Sequence, residues 1–353
     1  LTARRTAPHA PSAEAELDEL LSRPREETVA ALTSCPGDVV VLGAGGKMGP
    51  TLTRLVARAA SLADSRAGRV NRRVFAVSRF TSPTARQTLE AAGVEARACD
   101  LLDRDAVGRL PDAPNVIFMA GQKFGTADAP ATTWAMNTIV PAICAERYAG
   151  ARIVAFSTGN VYPLTPVAGG GARETDAFGP VGEYAASCVG RERMFELAAR
   201  QTSTRVAIVR LNYAIDLRYG VLTDLALKVL GGEPIDLRMG YVNVIWQGDA
   251  NRIAVECLPH ATTPPFVVNV TGRDVLSVRD LATRLGERLG STPAFVGDEA
   301  PDALLSNTDR MASTFAPPEV PLESMLDWVG TWVAEGRPLL DRPTHFEERA
   351  GRF

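Results

Sequence analysis

From Asp38 onward the chain alternates between two apolar patterns. Val39–Leu42 is a continuous apolar run closed by Gly43, as in a strand buried on both faces, and from Pro50 through Leu62 apolar residues recur at helical spacing. The pair repeats: Val74–Val77 and a helix over 83–92, a short strand ending near Asp100 and a helix over 103–110, Val116–Ala120 and a helix over 132–149. Ile153–Ser157 follows, then a Gly/Pro-rich loop at 163–182, a helix over 183–201 and the strand Val206–Leu211. Repeated strand–helix units of this kind predict an α/β fold, a doubly wound parallel sheet with helices on both faces. Beyond it lie a mixed segment at 212–243, a strand-like Val242–Trp246, a helix from Asp249 to Leu258, the strand Phe266–Val270, a helix over 277–289 and an amphipathic helix near 322–334. Ahead of Asp38, a polar arm at 1–16 and two short amphipathic stretches, Leu17–Leu21 and Val29–Leu32, predict a helical extension over 1–36 packed on the outside.

The chain has 353 residues, 46% hydrophobic and 22% charged, which suits two domains, or one large α/β domain with a lobe, and excludes wholesale disorder. A net charge of −3 offers no basic field for nucleic acid or an anionic membrane. No apolar run reaches the roughly 20 residues of a membrane span, and the N-terminal stretch lacks the apolar core of a secretory signal. Five widely spaced cysteines with no Cys-x-x-Cys, and three isolated histidines, predict neither a disulfide framework nor a metal site. A reduced cytoplasm is the expected compartment. One bias stands out: lysine occurs only at Lys47, Lys123 and Lys228, against 35 arginines.

Gly43-Ala-Gly-Gly46-Lys47-Met48-Gly49 lies where the first strand turns into its helix. Glycines at 43, 46 and 49 allow a tight turn, let backbone N–H groups approach a pyrophosphate and place that anion at a helix N-terminus. The turn therefore marks a dinucleotide site. A carboxylate at the end of the second strand would grip the ribose 2′-hydroxyl of NAD. Ser78 and Arg79 stand there instead, so NADP is expected, with Lys47 as a second positive charge, and NAD is the alternative. Asp100 and Leu101, after the third strand, suit either an adenine contact or, for Asp100, a helix N-cap. Ala120 and Gly121, after the fourth, border the same crevice.

These features, in order, are those of a known family. The glycine turn, Asp100-Leu-Leu-Asp103, Asn137 within Trp134-Ala-Met-Asn-Thr-Ile-Val-Pro141, Phe156-Ser-Thr-Gly-Asn-Val-Tyr162, Tyr184-Ala-Ala-Ser-Cys188 and Arg210-Leu-Asn212 together resemble the extended short-chain dehydrogenases/reductases, the NAD-dependent epimerase/dehydratase group, over residues 38 to about 290. The resemblance implies a Rossmann-type domain at 37–212, completed by about 242–275, and a smaller C-terminal substrate-binding lobe from 213–241 and 276–353. It implies Asn137 among the cofactor residues, Tyr184 as proton-transfer residue, and Thr158, or its neighbour Ser157, as the hydroxyl that orients the reacting oxygen. It also implies a homodimer. Asn160, Asn212, Arg218 and Arg238 are the candidate substrate ligands, suited to phosphate or carboxylate groups. Gly159 and Asn160 stand where the 4,6-dehydratases of this family carry an Asp-Glu pair, so that subclass is disfavoured.

The chain departs from the family at one decisive place. In the motif Tyr-x-x-x-Lys the lysine binds the nicotinamide ribose and lowers the tyrosine pKa; here that position is Cys188. A tyrosine at its ordinary pKa of about 10 is only about 0.1% ionised at pH 7, and a neutral thiol supplies no cationic field. Lys123, directly after the fourth strand, is the candidate substitute; Cys188 itself, or Glu174, Asp176 and Glu183 around the tyrosine helix, are further acid/base candidates. Two functions follow as expectations. One is an NAD(P)-dependent oxidoreductase or epimerase acting on a secondary hydroxyl of a sugar, sugar nucleotide or sugar-like polyol through a non-standard site. The other is a catalytically silent NAD(P)-binding regulatory protein.

Overall fold

The computed structural model describes residues 8–70, 72–81, 83–126, 128–340 and 343–352. Seven parallel strands form the central sheet: β1 (Val39–Leu42), β2 (Val74–Ser78), β3 (Glu95–Ala98), β4 (Asn115–Phe118), β5 (Arg152–Thr158), β6 (Arg205–Leu211) and β7 (Phe266–Val270), in the order β7-β6-β5-β4-β1-β2-β3. The register places Val39 between Val74 and Asn115, so β1 is central. Its four residues are all buried because alternate side chains enter two cores. Val39 and Val41 pack with Leu52, Leu55 and Val56 of the helix Gly49–Arg66, whereas Val40 and Leu42 pack with Ile143 and Phe195 on the other face. This is the physical reason for an unbroken apolar run in place of alternation. The chain order reverses between β1 and β4, and the crevice beyond their C-terminal ends is where such a sheet holds a ligand.

A separate apolar cluster unites helix Val221–Gly231 with helices Val278–Leu289 and Leu322–Ala334, through Leu222, Leu225, Leu281, Leu285 and Trp332, with Trp246 edge-on to Trp328 at 5.4 Å. Helix Val221–Gly231 was not resolved by the sequence pattern, which left 212–243 mixed, since its apolar residues encircle the helix too fully for a clear stripe.

The expected extension over 1–36 contains the helices Glu14–Leu21 and Glu26–Ser34, its residues 1–7 lying outside the described residues, and the helices do not lie merely on the exterior. Leu17 and Leu21 enter the second cluster while Val29 and Leu32 enter the sheet-side one, so the extension is a brace between the two. The helix expected at 132–149 is interrupted by a π-helical turn, Ala135–Ile139. Pro141 follows it and has no N–H to donate into the preceding turn, which favours the wider spacing.

Candidate active site

The glycine turn is built by contacts that differ at each position. Gly43 has φ +94°, and a Cβ there would lie 2.6 Å from the Ala120 nitrogen; a Cβ on Gly49 would lie 2.4 Å from the Ala44 carbonyl. The protein's own packing demands both glycines. Gly46 differs: a Cβ would meet only the Gly43 carbonyl at 3.4 Å, an ordinary contact, and the residue faces the crevice. Helix Gly49–Arg66 has no side-chain cap at its N-terminus; Gly49 N–H donates to the Gly46 carbonyl and Pro50 has none, so the positive end of the helix, and not a row of free amides, faces the same crevice. A bare glycine over an uncapped helix end fits a pyrophosphate.

The crevice has two halves. The first, about 310 Å³, lies between the glycine turn and Ser78, Arg79, Asp100, Leu101, Ala120 and Gly121. Asp100 accepts the Leu102 amide at 3.0 Å, while the cap of the following helix is Asp103, which accepts from Ala106; Asp100 therefore lines the pocket and is not the cap. Ser78 explains Gly45, where a Cβ would come 2.5 Å from the Ser78 hydroxyl oxygen. The second half, about 320 Å³, is bounded by Gly46, Met48, Gly49, Gly121, Ser157 and Tyr184.

At the inner end of the second half, strand β5 delivers Thr158 and the helix Gly182–Thr202 delivers Tyr184 and, one turn on, Cys188. The Tyr184 hydroxyl sits beside Thr158 and Cys188, and burial pushes its pKa well above the ordinary phenol value. The thiol raises it further where the family lysine would lower it. Cys188 is itself fully buried beside Val161 and Tyr162, and burial pushes its thiol up too, which removes it as a thiolate nucleophile. Ser157 donates to Glu192 at 2.6 Å, leaving Thr158 as the hydroxyl on the tyrosine.

Two cations face this tyrosine. Lys123 lines the pocket with Tyr184 and Thr158, donates to the Thr344 carbonyl at 3.2 Å, and is pulled down to about 8 by burial against the opposing charge of Asp224. Arg191, seven residues after Tyr184 on the same helix, is 6% exposed and also lowers the tyrosine pKa. Its guanidinium donates to the Phe156 carbonyl at 2.9 Å and the Asn137 side-chain oxygen at 2.7 Å, and a Cβ on Gly121 would lie 2.3 Å from it.

Matched against models of known families, residues 39–234, more than half the chain, fit the NAD-dependent epimerase/dehydratase family. The chain belongs to that family. It is an extended short-chain dehydrogenase/reductase by sequence and fold. No curated protein sequence matches it. Solved structures share the fold at low identity. The UDP-glucose 4-epimerase of Thermotoga maritima is 17% identical with a TM-score of 0.66, over 85% of this chain and 99% of that one. The UDP-Glc/GlcNAc 4-epimerase of Campylobacter jejuni is 18% identical with a TM-score of 0.69, over 85% and 100%. The UDP-glucose 4-epimerase of Thermus thermophilus is 19% identical with a TM-score of 0.65, over 83% and 98%.

Against this family's expected site, several residues are elsewhere. Lys47 does not accompany Arg79: its ammonium lies 2.8 Å from the Tyr219 ring centroid and 5.2 Å from that of Phe124, at the opposite end of the crevice. Asn137 is fully buried and does not reach the cleft. It brackets the backbone of Gln122 with two 2.9 Å hydrogen bonds and so fixes the loop carrying Lys123. Arg218 is held by Asp216 at 2.8 Å and Asp18 at 3.0 Å, and Arg238 by Asp236, so neither guanidinium serves the pocket. Asn160 and Asn212 do line it. Glu174 and Glu183 are committed to the Asn269 amide and the Trp134 indole, and Asp176 to the Arg173 amide. Arg191, Tyr219, Gln247 and Thr344 were missed by sequence reasoning. Only Arg191 had a signal, its place two turns along the tyrosine helix. Among the described residues no cluster suits a metal ion and no helix is long and apolar enough to cross a membrane.

Proposed function

We propose that the protein is an NADP(H)-dependent oxidoreductase or epimerase acting on a secondary hydroxyl of a sugar-like polyol, with its proton-transfer site rebuilt around a missing lysine. One observation carries this reading: Tyr184, Thr158 and Lys123 line one pocket, and Tyr184 and Lys123 also line the space against the glycine turn. The family supports a nicotinamide cofactor, and the Thermus thermophilus neighbour is described in complex with NAD. Ser78 and Arg79 at the end of β2, with no carboxylate beside them on that strand, support NADP over NAD.

Bound nicotinamide supplies the hydride acceptor or donor. Thr158 orients the substrate oxygen, and Tyr184 exchanges a proton with it. Because the phenol is held neutral, Tyr184 carries the proton that a forming alkoxide takes up, and it is a poor base at neutral pH. Arg191 offsets part of that penalty by favouring the phenolate, and Lys123 lines the same pocket. The silent regulatory reading has one observation in its favour, the engagement of Tyr184 with Cys188, and it requires cofactor binding without turnover.

Fluorescence titration with NADPH and NADH tests the first requirement, and we expect tighter binding of NADPH. Failure to bind either overturns the proposal. Binding without hydride transfer or epimerisation, across a panel of sugars and sugar derivatives, replaces it with the regulatory reading.

A further inference from the structure

Beyond Tyr184, the pocket continues into the second lobe, and its walls specify a ligand more narrowly than the fold does. This part encloses about 170 Å³, below the roughly 300–1,000 Å³ of pockets that take drug-sized ligands. Its far wall is the C-terminal tail. Thr344 lines the pocket, and its amide and hydroxyl donate to Asp224 at 2.8 and 2.5 Å. Beyond it the tail is pinned by the buried ring of Phe346, by the Glu347–Lys228 ion pair and by Arg349 on Asp302. Gly351 then abuts Gly182 at the start of the tyrosine helix; a Cβ on Gly182 would lie 2.3 Å from the Gly351 carbonyl. The tail is thus a fixed wall with anchors on both sides of the pocket.

The charges facing this space are one-sided. Lys47 and Lys123 line it, two of the three lysines of the chain, and among the described residues no aspartate or glutamate does. Arginine, the side chain whose planar fork matches a diphosphate, is absent from the lining, since Arg218 and Arg238 are held by acidic partners elsewhere. Asn160, Asn212 and Gln247 also line the pocket; their amide nitrogens donate to Thr158, to the Leu304 carbonyl and to Thr51 and Asp216, which leaves the amide oxygens as uncharged acceptors suited to hydroxyls.

Resting on the oxidoreductase reading above, we infer that the substrate is a single-ring polyol bearing one small anionic group, a carboxylate or a phosphate monoester, and not a sugar nucleotide. The lysines receive the anion, the amides hold hydroxyls, and the tail excludes a nucleoside diphosphate.

The test is equilibrium binding to the full-length protein saturated with NADPH, using glucuronate, glucose 1-phosphate, glucose and UDP-glucose, and the galacto and manno counterparts of each. At least one anionic single-ring sugar is expected to bind about tenfold more tightly than the neutral sugar of the same configuration, the worth of one charged hydrogen bond. Which of the uronate or the phosphate prevails distinguishes the two anions. Lys47→Met is expected to collapse that ratio. A UDP-sugar binding more tightly than every free sugar, a neutral sugar matching its charged counterpart throughout, or no binding by any anionic sugar overturns the inference. All three outcomes are read on protein that has bound NADPH, so they are separate from failure of the cofactor reading itself.

Discussion

The two halves of the crevice are built by different means. The glycine-turn half is made from the C-terminal ends of neighbouring strands in one sheet: the turn after β1, Ser78 and Arg79 at the end of β2, Asp100 and Leu101 beyond β3, and Ala120 and Gly121 beyond β4. The reacting half draws on β5, the tyrosine helix, a loop after β4, the second lobe and the tail, with Lys123 hydrogen-bonded to a residue 221 positions away. Local geometry constrains the first half so strongly that few residue types serve. The second can be changed one contact at a time: a thiol stands four residues after Tyr184, and Lys123 and Arg191 line the space around the tyrosine.

The largest expected effect separates the halves outright. Tyr184→Phe removes the proton donor and leaves the ring, so turnover should fall by about 10²–10⁴-fold, while NADPH affinity changes little. Equal loss of both would mean that Tyr184 belongs to the binding half, and unchanged turnover would remove it from the chemistry.

Within the glycine turn, substitutions should split by position. Gly49→Ala forces a methyl against the Ala44 carbonyl at 2.4 Å, and we expect a loss of about 1–3 kcal/mol in unfolding free energy, seen as a lower Tm. Gly46→Ala meets ordinary contacts only, so its Tm should stay near wild type while NADPH affinity drops. If Gly46→Ala also destabilises the apoprotein, the glycine serves the fold and the argument for a pyrophosphate there is lost. Arg79→Ala is a smaller change: about tenfold in the NADPH-to-NADH preference, the scale of one charged hydrogen bond. No change in that ratio would assign Arg79 to solvent.

This contrast also explains what could be read from the sequence. The strands of the sheet and Gly43, Gly46 and Gly49 follow from period and turn chemistry, which act over short spans, whereas the Thr158–Tyr184 pair is offered only by the family resemblance. Lys123 could be nominated because strand C-termini border the crevice. The direction of Lys47 could not, because it depends on Tyr219 arriving from the second lobe. Nor could the roles of Arg218 and Arg238, whose acidic neighbours Asp216 and Asp236 are only two residues away and claim them before any ligand does. The tail wall is illegible for the same reason: Thr344 reaches the pocket through Asp224, on a helix whose apolar residues gave no clear stripe.

A pH dependence tests Lys123 directly. Its ammonium titrates near 8 in the folded protein and near the ordinary 10.5 when unfolded, because burial costs the charged form more than Asp224, Cys188 and the Thr344 carbonyl return. Below pH 8 both states are protonated and the folded state bears the full cost. Between about 8 and 10.5 the folded protein has released the proton and the unfolded chain has not, so the unfolded chain binds more protons and stability rises with pH. Lys123→Met removes this dependence. Its Tm relative to wild type should therefore be most favourable below pH 8 and decline as pH rises toward 10.5, whatever constant offset the lost Thr344 hydrogen bond adds. Measuring both proteins at pH 6.5 and pH 10 cancels every group they share. A difference that does not change between those pH values would show that Lys123 carries its charge as a solvated lysine does, and the cation beside Tyr184 would then be Arg191 alone.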